Sequence, residues 1–188
     1  MKRFTAFVLF VLLLAGTASA LEFSADMVMT ARGHKTTGKV YFKGDSFRMD
    51  MTSPQKVTTI TRLDKKVVWS IMPQQKMYME IPFNPKREPM VKNKVQGEIE
   101  RKLIATEKVD GHPAGKYLVT YKSGGKEQHI YQWIATDINF PVKTEAVDGS
   151  WSQEYRNISF GNQPDSLFKV PAGYKKFQMP GGMHFPMR

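Results

Sequence analysis

Period-two alternation of apolar and polar residues dominates the chain. In "EFSADMVMTAR", Phe23, Ala25, Met27, Met29 and Ala31 share one parity, while Glu22, Ser24, Asp26, Thr30 and Arg32 share the other. The same pattern recurs in "FRMDM", with Phe47, Met49 and Met51 against Ser46, Arg48, Asp50 and Thr52. It recurs again in "KMYMEI", with Met77, Met79 and Ile81 against Lys76, Tyr78 and Glu80. Successive side chains of a strand point to opposite faces, so each stretch predicts a strand with one buried face.

Turn signals follow at steps of roughly ten residues, from "RGHK" and "KGDS" to "VDGHPAG", "SGGK" and "VDGS". The Gly-Asp, Gly-Gly and Asp-Gly pairs suit hairpin tips that need positive φ. Between them lie "GKVYFK", "KVTTITR", "KVVWSIM", "KYLVTYK", "EQHIYQWI", "FPVKTEAV" and "WSQEYRNISF", all rich in β-branched and aromatic residues. About eleven strands in an antiparallel meander are expected.

One gap breaks this rhythm, from Pro82 to about Glu107. Its three prolines in "PFNPKREP" read as loop. Beyond them Val91, Val95, Ile99 and Leu103 recur every four residues, a helix stripe, yet from Glu98 onward the chain also reads as a strand. A short helix or loop followed by a strand is expected. The ending "MPGGMHFPMR", residues 179–188, reads as a flexible tail.

The first twenty residues stand apart. Lys2 and Arg3 precede an apolar run from Phe7 to Ala15, and Ala18 and Ala20 follow at signal-peptidase spacing. Residues 1–20 are thus expected to be a signal peptide, and the run is short for a membrane span. The product is expected in the periplasm, starting at Leu21. The chain has no cysteine, which excludes disulfides, thiolate metal sites and N-terminal lipidation through Cys. One domain over residues 21–178 is expected. Removing Lys2 and Arg3 from 28 basic residues leaves 26 against 17 acidic, a net charge of +9. The basic residues are scattered along strand faces, so an anionic membrane surface is a better-fitting partner than nucleic acid.

Catalytic signatures are missing: there is no thiol nucleophile, no G-x-S-x-G and no H-E-x-x-H. His112 sits in a turn, His129 alternates with Tyr131 and Trp133, and "SGGK" opens no helix. The chain therefore reads as a binding protein, not an enzyme, with no cofactor. The methionines carry the strongest candidate chemistry. Three Met-x-Met pairs lie on three strands. They could fill a core, supply soft thioethers to Cu(I), or line an adaptable apolar pocket. The four histidines stand apart from the pairs; His184 lies near Met183 and Met187 in the tail. The pocket reading takes Phe23, Met27, Met29, Phe47, Met49, Met51, Trp69, Ile71, Met77 and Met79 as its lining, since Val67, Trp69 and Ile71 share parity in "KVVWSIM".

The order and spacing of "YFKGDSFRMDM", "RLDKKVVWSIMPQQKMYME", "ATEKVDGHPAGKYLVTY", "FPVKTEAVDGS" and "LFKVPAGYKKF" resemble the periplasmic lipoprotein-carrier (LolA-like) superfamily, from about Leu21 to Phe177. The resemblance implies a mainly β (α+β) fold: a strongly curved antiparallel sheet, an open half-barrel, with few covering helices. It implies a carrier or sensor of a hydrophobic or acylated ligand held on the concave apolar face, with envelope lipoproteins as partners. Carriers of this kind place a basic residue at the cavity mouth; Arg48 occupies the matching stretch, but its parity puts it on the polar face. A Cu(I)-binding periplasmic protein, or an envelope interaction protein without a small ligand, is the alternative.

Overall fold

The computed structural model describes residues 21–53, 56–85 and 91–177. Residues 1–20, expected as a signal peptide, and 179–188, expected as a flexible tail, fall outside the described residues. The chain forms strands β1 (Glu22–Ala31), β2 (His34–Lys43), β3 (Ser46–Ser53), β4 (Val57–Arg62), β5 (Val67–Met72) and β6 (Met77–Pro82). After a long connection come β7 (Glu98–Val109), β8 (His112–Ser123), β9 (Lys126–Ala135), β10 (Phe140–Ala146), β11 (Trp151–Phe160) and β12 (Lys175–Lys176). Short 3-10 helices occur at Pro73–Gln75 and Asp165–Phe168.

All twelve strands belong to one sheet, in the order β12-β6-β5-β4-β3-β2-β1-β11-β10-β9-β8-β7. The expected antiparallel meander is present as two runs, β1–β6 and β7–β11, joined where β11 pairs with β1 and not where β6 leads into β7, and the two-residue β12 is added parallel to β6. The turn chemistry works as the sequence implies, with Gly33, Gly111 and Gly125 at positive φ at hairpin tips. The four-residue stripe beginning at Val91 is no helix: Val91–Gly97 is irregular, and Glu98 begins a twelve-residue strand. Among the described residues no helix is long and apolar enough to cross a membrane.

The sheet is open, since β12 and β7 end it on opposite sides, and it is strongly curved. The Asp110 carboxylate, in the β7–β8 turn, accepts a 2.8 Å hydrogen bond from the Asn157 amide of β11. Three strand spacings separate β8 from β11, roughly 14 Å in a flat sheet. The bond therefore requires the sheet to coil at this end. Asn157 lies at positive φ, at the irregularity between β1 and β11, and its side chain donates to Asp26 at 2.8 Å. Such bulges bend a strand and increase its twist.

Coiling brings the main core together. Phe23, Phe42, Phe47, Phe140 and Tyr155 are buried in one cluster, with Phe23 and Phe140 ring centroids 4.7 Å apart. Trp133 joins them and donates its indole N–H to Glu107 across the sheet. A second, smaller core holds Ile60, Ile71 and Phe168, flanked by Trp69, Tyr78, Leu167, Val170 and Tyr174. The segment after β11 builds it by crossing back over β3–β6. Three basic side chains hold that segment. Lys43 donates to the Gln163 carbonyl, Arg48 to that of Leu167 and Arg62 to that of Phe168, at 3.0, 3.1 and 3.2 Å.

Candidate functional site

Strand register decides which side chains share a face. Three cross-strand rows run from β1 to β6 or as far as pairing extends. The first holds Met27, Gly38, Met51 and Val57. The second holds Ala25, Val40, Met49, Thr59, Ser70 and Met79. The third holds Phe23, Phe42, Phe47, Thr61, Val68 and Ile81. Met29 lies two residues beyond Met27, and Met77 pairs with Met72 beside the second row. All three Met pairs thus turn to one face, although they come from strands as far apart as β1 and β6. The rows contain no ionisable side chain.

Two of the expected lining residues are elsewhere. Trp69 pairs with Ile60 and Glu80, and Ile71 with Thr58 and Tyr78, all on the opposite face. There both pack into the second core under Phe168. The cause is that β5 is covered on both sides, so both of its parities are apolar and alternation cannot rank them. Val68 and Ser70 take the places assigned to Trp69 and Ile71. Thr59, Thr61 and Ser70 give this part of the face a hydroxyl-bearing floor that reading for apolar residues missed. Arg48 is on the outer face, as its parity indicates, and is spent on Asp50 and the Leu167 carbonyl at 3.0 and 3.1 Å.

The face grades from closed to open. Phe23, Ala25, Met27, Val40, Phe42 and Phe47 are buried. Met29, Met49, Met51, Met77 and Met79 are half-buried, with Met29 and Met49 against the main core. Gly38 matters to this geometry. A Cβ there would lie 2.5 Å from the Asp50 carbonyl oxygen, because β2 and β3 close up at the bulge between Thr37 and Gly38. The absent side chain lets the β3 backbone at Asp50 and Met51 approach β2 closely, between Met27 and Met51 in the row.

The face continues onto the other half of the sheet. Tyr155 pairs with Met27, Gln153 with Met29, Thr144 with Gln153 and Gln132 with Thr144. Burial pushes the Tyr155 phenol far above its usual range; the Gln153 amide, donating at 2.8 Å, opposes this only weakly. Gln132 donates to the Lys92 carbonyl at 3.4 Å, and Arg101 donates to the Asn93 carbonyl at 2.6 Å and to the Gln132 side chain at 2.9 Å. These bonds place the β6–β7 connection over the same face. Val91, at its described end, is 4% exposed and packs into the main core. The described end of the connection, residues 91–97, thus lies on this side of the sheet. The Arg101 guanidinium holds the Glu98 carboxyl below its usual range, and Glu98 in turn accepts from the Val95 amide at 2.9 Å. A polar hinge thus fixes where the crossing meets β7.

Polar groups elsewhere form structural pairs. His112 lies 2.8 Å from Asp137 and holds that carboxyl low, beside a turn with no nucleophile paired to it. His129 bonds Thr120 at 3.1 Å on an exposed strand face. Glu80, which accepts from Lys176 and the Trp69 indole at 2.8 and 3.0 Å, is held low by both. No group of three or more His, Asp or Glu among the described residues is arranged to hold a metal. In the second row Thr59 and Ser70 stand between Met49 and Met79, so these two thioethers are on separated strands.

Solved structures share this architecture. An uncharacterised conserved protein from Thermus thermophilus matches at a TM-score of 0.61 and 14% identity, covering 85% of this chain and 91% of that one. MucB in the MucA/MucB complex from Pseudomonas aeruginosa matches at a TM-score of 0.53 and 14% identity, over 79% of this chain. The chain spans 56% of MucB's length. A LolA superfamily protein from Nitrosomonas europaea, the weakest overlay of the three, has a TM-score of 0.36 and 12% identity, with 81% and 91% covered. At such identities the likeness is one of fold. No curated protein matches the sequence. The model of one family, the domain of unknown function DUF4412, matches residues 23–139, and the chain belongs to that family.

Proposed function

We propose that the protein is an exported, periplasmic binding protein that holds the acyl chain of a hydrophobic ligand on its methionine face, as a carrier or sensor. One observation carries this reading: the register turns all three Met pairs to one face, whose cross-strand rows hold no ionisable side chain. Met side chains have three rotatable bonds and a polarisable sulfur, which suits a wall that must fit chains of varying shape. Thr59, Thr61 and Ser70 supply hydroxyls that could hold a ligand's ester or carboxyl end. The lining is then Phe23, Met27, Met29, Phe47, Met49, Met51, Met77 and Met79, with Val68 and Ser70 in place of Trp69 and Ile71. MucB, solved with MucA bound, supports a protein partner for a sheet of this kind, and an envelope lipoprotein would supply protein and acyl chain together.

The test is titration of an environment-sensitive fluorescent fatty acid into residues 21–188. Binding by the parent is expected, with loss in Met49→Asp and in Met79→Asp, because an unpaired carboxylate in an apolar wall is costly. Variants that keep the parent's circular dichroism and bind the probe as tightly as the parent overturn the reading. Exchange of the six paired methionines for Leu, made pair by pair, separates pocket from metal site. An acyl pocket survives these volume-conserving swaps, whereas a Cu(I) site loses its sulfur ligands.

A further inference from the structure

We propose that the β7 edge is a docking surface for anionic membrane, placing the carrier at a lipid surface when it loads or delivers. The inference rests on the carrier reading for its purpose, but its evidence is separate. The described residues expose seven large apolar side chains, and three belong to this strand: Ile99, Leu103 and Ile104, at 55%, 53% and 43%. They lie within six residues on the last strand of the sheet, whose outer side has no paired strand among the described residues.

The usual hazard of such an edge is addition of another strand. Here β7 is irregular against β8 between Glu98 and Glu100 and again between Leu103 and Ala105. The residues in those gaps are Ile99 and Ile104. Bulges break the regular ladder an added strand would need, and they re-aim side chains. These isoleucines are therefore displayed on an edge poorly suited to pairing, which favours a partner that takes side chains without backbone bonds. A lipid interface does so.

Charge selects the kind of surface. Residues 91–126 carry eight Lys and Arg against four Asp and Glu, a net +4 within a chain of +9 over residues 21–188. Lys94, Lys102 and Lys122 are exposed in this part of the chain: Lys102 precedes Leu103 and points to the other face of β7, and the Lys122 amide on β8 bonds the Gly97 carbonyl at 2.9 Å. Two of the four acids accept from neighbouring side chains, Glu98 from Arg101 and the exposed Glu107 from the Trp133 indole. Glu100 remains among the lysines, an exposed carboxylate that lowers the local excess by one. Exposed apolar side chains within a net-positive stretch of chain match the interface of an anionic bilayer.

The test uses residues 21–188, which contain every described element, in co-sedimentation with vesicles of phosphatidylglycerol and phosphatidylethanolamine, and with neutral phosphatidylcholine vesicles. Binding to the anionic vesicles alone is expected. Lys102→Gln with Lys122→Gln should weaken it about 25-fold, at roughly fivefold per charge, and Ile99→Ser with Leu103→Ser and Ile104→Ser should abolish it. Since the chain lacks cysteine, Ile104→Cys and Lys65→Cys each provide one site for a polarity-sensitive dye. The dye at position 104 should move to an apolar environment on vesicles while that at 65, in the β4–β5 turn, stays wet. Equal responses at both sites, no vesicle binding by the parent, or a parent dimer that the triple Ser variant converts to monomer would overturn the proposal. Fatty-acid titration of the triple Ser variant tells the two readings apart: retained probe binding leaves the pocket standing whatever the vesicles show.

Discussion

Ile71→Ala separates the two faces of β5. Ile71 is 2% exposed and sits beneath Phe168 in the outer core, on the side away from the methionines. Truncating a buried Ile to Ala costs about 2–5 kcal/mol, depending on how far the site relaxes. This core has only three fully buried members, and the segment above it can settle inward, so the low end, about 2–3 kcal/mol, is expected. For a chain of this size each kcal/mol lowers Tm by about 2–4 °C, so the melting point should fall by about 4–12 °C. Urea denaturation followed by tryptophan fluorescence measures the loss, and an unchanged m-value indicates that stability alone has moved. Under conditions where the variant is fully folded, its affinity for a fluorescent fatty acid should equal the parent's. A folded Ile71→Ala protein that loses the probe, or one that loses no stability, would refute the assignment of this residue to the outer core.

Three further outcomes follow from the same geometry. Gly38→Ala forces a methyl against the Asp50 carbonyl and should cost about 1–3 kcal/mol in urea, with fatty-acid binding weakened because the bulge sits between Met27 and Met51. Arg62→Met removes the donor to the Phe168 carbonyl, so amide hydrogen exchange should accelerate over residues 164–176 while the methionine strands stay protected. Stability should also fall on acidification. Arg62, Arg101 and Lys43 hold the carboxyls of Asp64, Glu98 and Asp165 below their usual values. Groups depressed in the folded state stabilise it above their unfolded pKa, near pH 4, and that contribution is lost as pH falls through their folded values. Melting temperatures between pH 6 and pH 2.5 should decline, and Arg101→Gln should shallow the decline by removing the partner of Glu98.

Alternation made β1, β3 and β6 legible because each keeps its apolar residues on one parity and mostly polar ones on the other, even where the C-terminal segment covers the polar face of β3 and β6. A two-residue period then leaves a single consistent parity. The Met pairs obeyed that rule, and their convergence on one face follows from parity carried across paired strands. The strand β5 did not obey it. "VVWSIM" offers Val67, Trp69 and Ile71 on one parity and Val68, Ser70 and Met72 on the other, and size alone favours the tryptophan side. The deciding information was elsewhere. Ile60 stands alone among the threonines of β4, on the parity opposite Thr59 and Thr61, and pairs with Trp69. An apolar residue on the supposedly wet side of a strand signals a second cover. That cover is written far downstream, in Leu167, Phe168, Val170 and Tyr174, whose irregular spacing fits neither strand nor helix.

The crossing from β6 to β7 was illegible for a related reason. Valines four apart suit a helix, but Val91 is spent as a single anchor in the main core, and at Gly97 a positive φ and a Cβ position 2.5 Å from the Lys122 carbonyl oxygen turn the chain into β7. Period cannot reveal a segment whose conformation is set by where its two ends must go. Here the ends are at β6 and β7, which are not neighbours in the twelve-stranded sheet. The outer face of β3–β6 is already taken by the C-terminal segment, held by Lys43, Arg48 and Arg62. The described end of the connection lies on the methionine side of the sheet, where Gln132 and Arg101 hold it through the Lys92 and Asn93 carbonyls. The two segments thus use different faces, and neither has a period that announces it, because each is held by side chains of strands remote in sequence.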